Sequence, residues 1–249
     1  MFEPRVAIAS LSGESDAGWA RAVEEHVGAA FLGGIAIDRA SREAAREMVA
    51  DRDREEFLPE DPFAFVDREL AALDDAPVQS AVNVRSATAE PVRRAAAICD
   101  RHDAILEINA HCRQEELRDA GCGETLLADV DRLQDYVATA SAKTSVSVKV
   151  RAEVAGVDLV QVARRIEQAG ADAIHVDAMD SEAVVATVAS QSDLFVIANN
   201  GVRDRETARE YLEYGADAVS VGRPSDRPEV LERVRRATRE WFAGREARP

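Results

Sequence analysis

The sequence predicts a single (β/α)8 barrel, and three observations carry that expectation. Eight short apolar runs, rich in Val, Ile and Ala, recur along the chain. Segments with helical period and charged faces lie between them. The runs are continuous rather than alternating, as suits parallel strands buried on both faces. Eight strands interleaved with helices is the count for a closed barrel. An open doubly wound sheet is the rival, but it usually has fewer strands and a Gly-rich first turn. The first turn here, Ser10-Leu-Ser-Gly-Glu-Ser, is no G-x-G-x-x-G.

Taken in order, strand Val6–Ser10 precedes a helix over Asp16–His26, with Gly28 as its stop. Strand Ala29–Ile37 leads into a helix over Ala40–Arg54. The longest connection, residues 40–77, separates the second and third strands and also contains the helical segment Phe63–Leu73. It is expected to supply an extra helix or a segment over the barrel mouth. Strand Val78–Val84 and helix Glu90–Arg101 follow. Strand Ala104–Ala110 ends in Asn109, His111 and Cys112, then passes through a charged helix-like stretch and the turn Gly121-Cys-Gly to helix Asp129–Ala140. The last four units pair Ser145–Val150 with Leu159–Ala169, Ala173–Ala178 with Glu182–Ser190, Leu194–Asn200 with Arg205–Tyr214, and Ala218–Gly222 with Glu229–Phe242. Gly-Ala-Asp recurs at Gly170–Asp172 and Gly215–Asp217, each time just before a strand. No linker or low-complexity block interrupts the chain, so residues 1–249 read as one domain.

Composition narrows the setting. No apolar run approaches the 20 or so residues of a membrane span, and the N-terminus lacks the pattern of a secretory signal. Three cysteines make no disulfide framework. A cytoplasmic, reduced protein is expected. The formal charge is −16, with Lys143 and Lys149 the only lysines. Such a surface opposes nucleic acid at ordinary salt. It is also how proteins of salt-loving organisms stay soluble, where screening shortens the field. That halophilic reading is preferred, and it leaves RNA open as a partner.

In a barrel of this kind the chemistry lies at the carboxyl ends of the strands. Those ends offer Ser10; Asp38; Asn83 and Arg85; Asn109, His111 and Cys112; Lys149 and Arg151; His175, Asp177 and Asp180; Asn199, Asn200 and Gly201; Gly222 and Arg223. With period-2 alternation Lys149 shares a face with Ser145, Ser147 and Arg151. An ammonium facing the interior must be paired or serve chemistry. It suits a structural ion pair, a Schiff-base amine, or a cation beside an electron-rich ring. Glycines in Ala198-Asn-Asn-Gly and Val221-Gly-Arg allow backbone N–H groups to approach a phosphate, with Arg223 adding charge. No metal site is expected: Cys112, Cys122 and His111 match no zinc spacing and lack a fourth ligand. Cys99 and Cys122 read as packing residues, and His26 and His102 as surface or capping residues.

The stretch Glu107-Ile-Asn-Ala-His-Cys-Arg, followed by Gly121-Cys-Gly-Glu-Thr-Leu-Leu, resembles the signature of tRNA-dihydrouridine synthases. Val148-Lys-Val-Arg, Ile174-His-Val-Asp, Asn200-Gly-Val and Val221-Gly-Arg follow in that family's order, so the resemblance runs from about Val6 to Arg223. It implies FMN as cofactor and NAD(P)H as reductant. Gln79, Lys149, His175, Asn200, Gly201, Gly222 and Arg223 would bind the flavin. Cys112, Lys149 and His175 would carry catalysis. Asn109, His111 and Arg151 would hold a uracil-like ring, in tRNA or as a free pyrimidine. An unperturbed thiol, protonated near neutrality, would let Cys112 give the ring its proton.

The sequence departs from that family in three places. The family's Gly-Cys-Pro is His111-Cys-Arg. Its His-x-Arg is His175-Val-Asp. A C-terminal helical tRNA-binding domain has no counterpart in residues 224–249, so a second copy of the chain is one candidate source of an RNA surface. Two rival readings are a phosphate-binding lyase or isomerase using Lys149, and a non-catalytic barrel that keeps a phosphate site as a binding module.

Overall fold

The computed structural model describes residues 1–51 and 55–246. Its strands are β1 Val6–Ile8, β2 Ala29–Ala36, β3 Gln79–Arg85, β4 Ile105–Ala110, β5 Val146–Arg151, β6 Ala173–Asp177, β7 Phe195–Asn199 and β8 Ala218–Val221. All neighbours pair parallel, and the ring closes in chain order through β1 and β8. The expected (β/α)8 barrel is therefore present.

Outward positions such as Val82, Leu106, Val148, Ile174 and Val219 are apolar and pack under the helices. That double burial explains why the runs are continuous in sequence. Inward positions form layers. At the amino end Ala7, Ala29, Phe31, Ala81, Ile105, Ala173, Ile197 and Ala218 close the barrel floor. The layers above are polar: Asn83, Glu107, Ser147, His175 and Ser220, then Arg85, Asn109, Lys149 and Asp177, all buried.

The helices are α1 Ala17–Arg21, α2 Arg39–Asp51, α3 Pro62–Ala71, α4 Ala89–Arg101, α5 Glu115–Asp119, α6 Glu124–Ala128, α7 Val130–Ser141, α8 Leu159–Gln168, α9 Val184–Gln191, α10 Arg205–Glu213 and α11 Pro228–Glu246. The first is shorter than its sequence suggests. Beyond Arg21 the chain continues in i→i−3 turns, such as Val23 N–H to Ala20 O and His26 N–H to Val23 O. The connection over 40–77 holds α2 and α3. The expected end of the second helix at Arg54 lies outside the described residues.

Part of the acidic excess is architectural. Asp16, Asp61, Asp129, Asp158 and Asp204 cap helix N-termini by accepting backbone N–H groups. The Gly-Ala-Asp repeat has a related use. Gly170 and Gly215 take the positive φ that ends a helix (97° and 94°). The Asp that follows accepts from an amide at the start of the preceding strand, Val146 N–H to Asp172 at 2.8 Å and Val196 N–H to Asp217 at 2.9 Å.

Candidate active site

A cavity of about 660 Å³ opens at the carboxyl end of the barrel. Its lining includes Ser10, Ser12 and Glu14 from the loop after β1, Glu55, Arg85, Asn109, His111, Cys112, Lys149 and Arg223. Strands β3, β4, β5 and β8 thus deliver side chains from distant parts of the sequence to one mouth. The connection between β2 and β3 reaches the same place. Glu55 lies against Gly13, and Glu56 pairs with Arg85 at 2.6 Å with both side chains buried.

Arg85 is the residue that sequence reasoning underrated. It is fully enclosed, bonded to Glu56 and to the Ser12 hydroxyl. Room for it comes from a bulge in β2, where the register shifts between Gly33 and Ile35. Gly33 and Gly34 both take positive φ, and a Cβ on Gly34 would sit 2.8 Å from Arg85 Nη2. Two glycines inside an apolar strand were the available signal.

The turn after β4 is fixed by Asn109. Its Oδ1 accepts the backbone N–H of His111 at 3.2 Å and of Cys112 at 3.1 Å, and its Nδ2 donates to Asn83 Oδ1 at 2.9 Å. Gly123 holds the other side. Its φ is +58°, and a Cβ there would lie 2.1 Å from the Cys112 carbonyl oxygen. The chain must therefore have glycine at 123 for Cys112 to take this place. Asn109 is then a turn-forming residue with one N–H left for a ligand.

Cys112 is 5% exposed at the cavity wall. Burial alone would raise its pKa, but the Arg85 guanidinium and His111 pull it down to about 6. These neighbours shift Cys112 away from the expected ordinary thiol toward its thiolate form. His111, half-buried, is raised against the opposing effect of desolvation by its bond to Asp177. Asp177 is bonded to His111 Nε2 and accepts from Asn200 Nδ2 at 2.7 Å. Those partners hold it well below the usual carboxylate range despite burial. Cys99 and Cys122 are pushed far up by burial, to well above ordinary thiols and to about 12 respectively.

Four expected site residues sit or turn elsewhere. Gln79 is the first residue of β3, at the barrel floor, where Nε2 donates to Asp103 O at 2.7 Å. Six residues of strand, about 20 Å at 3.3 Å each, separate it from the mouth. His175 is fully buried beneath the cavity rather than on its wall. Its Nδ1 bonds Glu107 at 2.7 Å and its Nε2 bonds Ser220 at 2.7 Å, so neither nitrogen is left for a ligand. Arg151 lies outside the cavity lining, among Glu124 at 3.6 Å and Glu153 at 3.8 Å. Asn200 turns its amide toward Asp177 rather than toward a phosphate.

A family model described as dihydrouridine synthase (Dus) matches residues 37–246. The chain belongs to the dihydrouridine synthase family. An uncharacterized protein of Methanocaldococcus jannaschii is 24% identical over 235 residues, 89% of each chain. The dihydroorotate dehydrogenase B (NAD(+)) catalytic subunit of Methanothermobacter thermautotrophicus is 25% identical over 199 residues, covering 67% of this chain and 65% of that one. Among solved structures, FabK from Thermotoga maritima superposes with a TM-score of 0.57 at 16% identity, over 89% of this chain and 61% of that one. A tryptophan synthase complex chain from Pyrococcus furiosus does so at 0.59 and 14%, over 98% and 100%. The chain thus spans less than two thirds of the dehydrogenase and FabK chains it matches. The structural likenesses show the barrel alone. Membership in the dihydrouridine synthase family makes the protein a flavin-dependent barrel oxidoreductase.

The residues present fit a flavin mononucleotide. The cavity is within the size range of small-molecule sites. Lys149 is 3% exposed and lines the cavity, with the carboxylates of Glu107 and Asp177 near enough to feel its charge. Its ammonium makes no hydrogen bond among the described residues, which leaves its donors for a polar or anionic ligand. Where β8 ends, a Cβ on Gly222 would meet nothing within 4 Å, and Arg223 beside it lines the cavity. No helix among the described residues is long and apolar enough to cross a membrane.

Proposed function

We propose that the protein is an FMN-dependent oxidoreductase acting across the 5,6 double bond of a uracil-like ring, with NAD(P)H as its electron donor. The observation that carries this reading is that Cys112 and Lys149, from different strands, line one cavity at the barrel mouth. When bound, the flavin supplies hydride exchange with one ring carbon. Lys149 then stands beside it as the cation that favours its electron-rich form. Gly222, with Gly201 nearby, offers open backbone to the phosphate, and Arg223 adds charge. Asn109 presents its remaining N–H to the edge of the pyrimidine. Cys112 handles the proton at the other ring carbon.

The ring is carried in tRNA or as a free pyrimidine. Glu14 and Glu55 at the rim favour the small ring, because carboxylates repel the phosphates that flank a base in RNA. The test is reconstitution with FMN, followed by absorbance near about 450 nm and by fluorescence titration. The native protein should hold the cofactor, and Lys149→Ala or Arg223→Ala should weaken binding about tenfold or more. In parallel, mass spectrometry of tRNA from a deletion strain separates the substrates. Loss of dihydrouridine identifies tRNA, and an unchanged level removes tRNA while leaving the flavin reading in place. A folded protein that retains no flavin under any condition overturns the whole reading.

A further inference from the structure

We propose that Asp177, His111 and Cys112 form one proton-holding unit, in which Asp177 positions His111 and His111 relays protons to and from the Cys112 sulfur. The inference rests on the proposed redox chemistry for its purpose, but its geometry stands independently. Asp177 bonds His111 Nε2, and its second oxygen takes the Asn200 amide at 2.7 Å. His111 is thereby oriented with Nε2 engaged and Nδ1 left over, and it lines the same cavity as its neighbour Cys112. The backbone N–H groups of both residues are pinned on one oxygen of Asn109. The pairing joins β6 to the loop after β4 across 66 residues of sequence. Two of the positions where the chain departs from its family motifs, His111 and Asp177, meet here.

The surrounding charges agree. Cys112 faces His111, Arg85 from β3 and Glu56 from the connection after α2; His111 also faces Lys149 from β5. Arg85 and His111 favour the thiolate, while Glu56 opposes it. In the saturating direction His111 passes its proton to the Cys112 thiolate, and the sulfur gives that proton to one ring carbon while the other carbon takes the hydride of the proposed reaction. The sulfur is then a thiolate again, and His111 recovers its proton from solvent. In the desaturating direction the thiolate removes the ring proton, and each transfer reverses. Oxidation and reduction stay confined to the hydride exchange, so no further reagent is needed.

The experiment measures the alkylation of Cys112 by iodoacetamide against pH in the flavin-free native protein, with peptide mass spectrometry as the readout. Cys99 and Cys122, buried with raised pKa values, serve as unreactive internal controls. The Cys112 midpoint should lie near 6. His111→Gln and Asp177→Asn should move it upward by about one unit, a tenfold smaller thiolate-to-thiol ratio in the acid limb. A native midpoint above about 8, the ordinary thiol range, overturns the proposal without recourse to any variant. So does a midpoint unmoved in two folded variants. The functional reading fails separately. A low midpoint in a protein that never takes up flavin would remove the oxidoreductase and leave the triad. Flavin uptake with an ordinary midpoint would do the reverse.

Discussion

Asn83, Glu107, Ser147, His175 and Ser220 satisfy one another inside the barrel. Asn83 Nδ2 donates to Glu107 Oε1 at 2.8 Å, and the Ser147 hydroxyl donates to Oε2 at 3.2 Å. His175 is held neutral by burial, with Glu107 opposing and Lys149 assisting that shift. The network therefore assigns the proton to Nδ1, donated to Glu107, and lets Nε2 accept from Ser220. Burial would raise Glu107, but His175, Lys149 and Asn83 hold it below the usual range. Such a carboxylate contributes stability that is full above its unfolded value of about 4.3 and is lost as pH falls through its folded value. Asp177, also depressed, has the same sign. His175, neutral in the fold, binds its proton in the unfolded chain below about 6.5, so acid favours unfolding there too. Thermal melts should therefore show loss of stability below about pH 6.5 from His175 and a further loss below about pH 4.3 from the two carboxylates. Glu107→Gln should lower stability at pH 7 by about 3 kcal/mol and flatten the pH dependence below about 4.3. Equal pH slopes in the two proteins would contradict the network.

At the level of elements, the double glycine of β2 and the arginine ending β3 form one device. The bulge removes two side chains and bends the strand, and the guanidinium of Arg85 fills the space. Gly34→Ala places a methyl group against Arg85 at a backbone angle of +85°. It should cost about 1–3 kcal/mol, visible in a chain of this size as a drop of roughly 2–4 °C per kcal/mol. It should also loosen the segment that Glu56 anchors, detected as faster hydrogen exchange around residues 55–60. Exchange unchanged there would show that the bulge does not support that segment.

The elements themselves were legible in sequence because double burial leaves a strong mark: each strand is a run of Val, Ile and Ala, and each helix a charged stretch. Lys149, Asn109, Cys112 and Arg223 were likewise legible, since each follows an apolar run at the end where a barrel presents its side chains. Gln79 was misread because a family glutamine was matched at the start of the strand rather than its finish. His175 was misread because alternation tells which way a side chain points, not how deep in the barrel it lies. Arg85 with Glu56 was missed because the partners come from a connection whose path local pattern does not define.

For the whole molecule, the net charge of −16 opposes compactness wherever like charges are near. The caps and the two Asp residues of the Gly-Ala-Asp repeat use some of this charge, but most of it is solvent-facing. Melting temperature should therefore rise as sodium chloride increases from about 0.1 M, where the screening length is near 10 Å, to 1 M, where it is near 3 Å. A flat or falling curve would mean that the surface ion pairs, such as Arg39 with Glu43 and Arg93 with Glu90, outweigh the repulsion.

The bond between His111 and Asp177 crosses the rim of a closed ring. Replacing the aspartate alone leaves His111 facing Lys149 without its carboxylate; replacing the histidine alone leaves Asp177 with the Asn200 amide and the charge of Lys149. Each half is costly without the other, so the two codons behave as a single inherited character, acquired and lost together. Any natural variant of this barrel that reverts one should be found to have reverted the other.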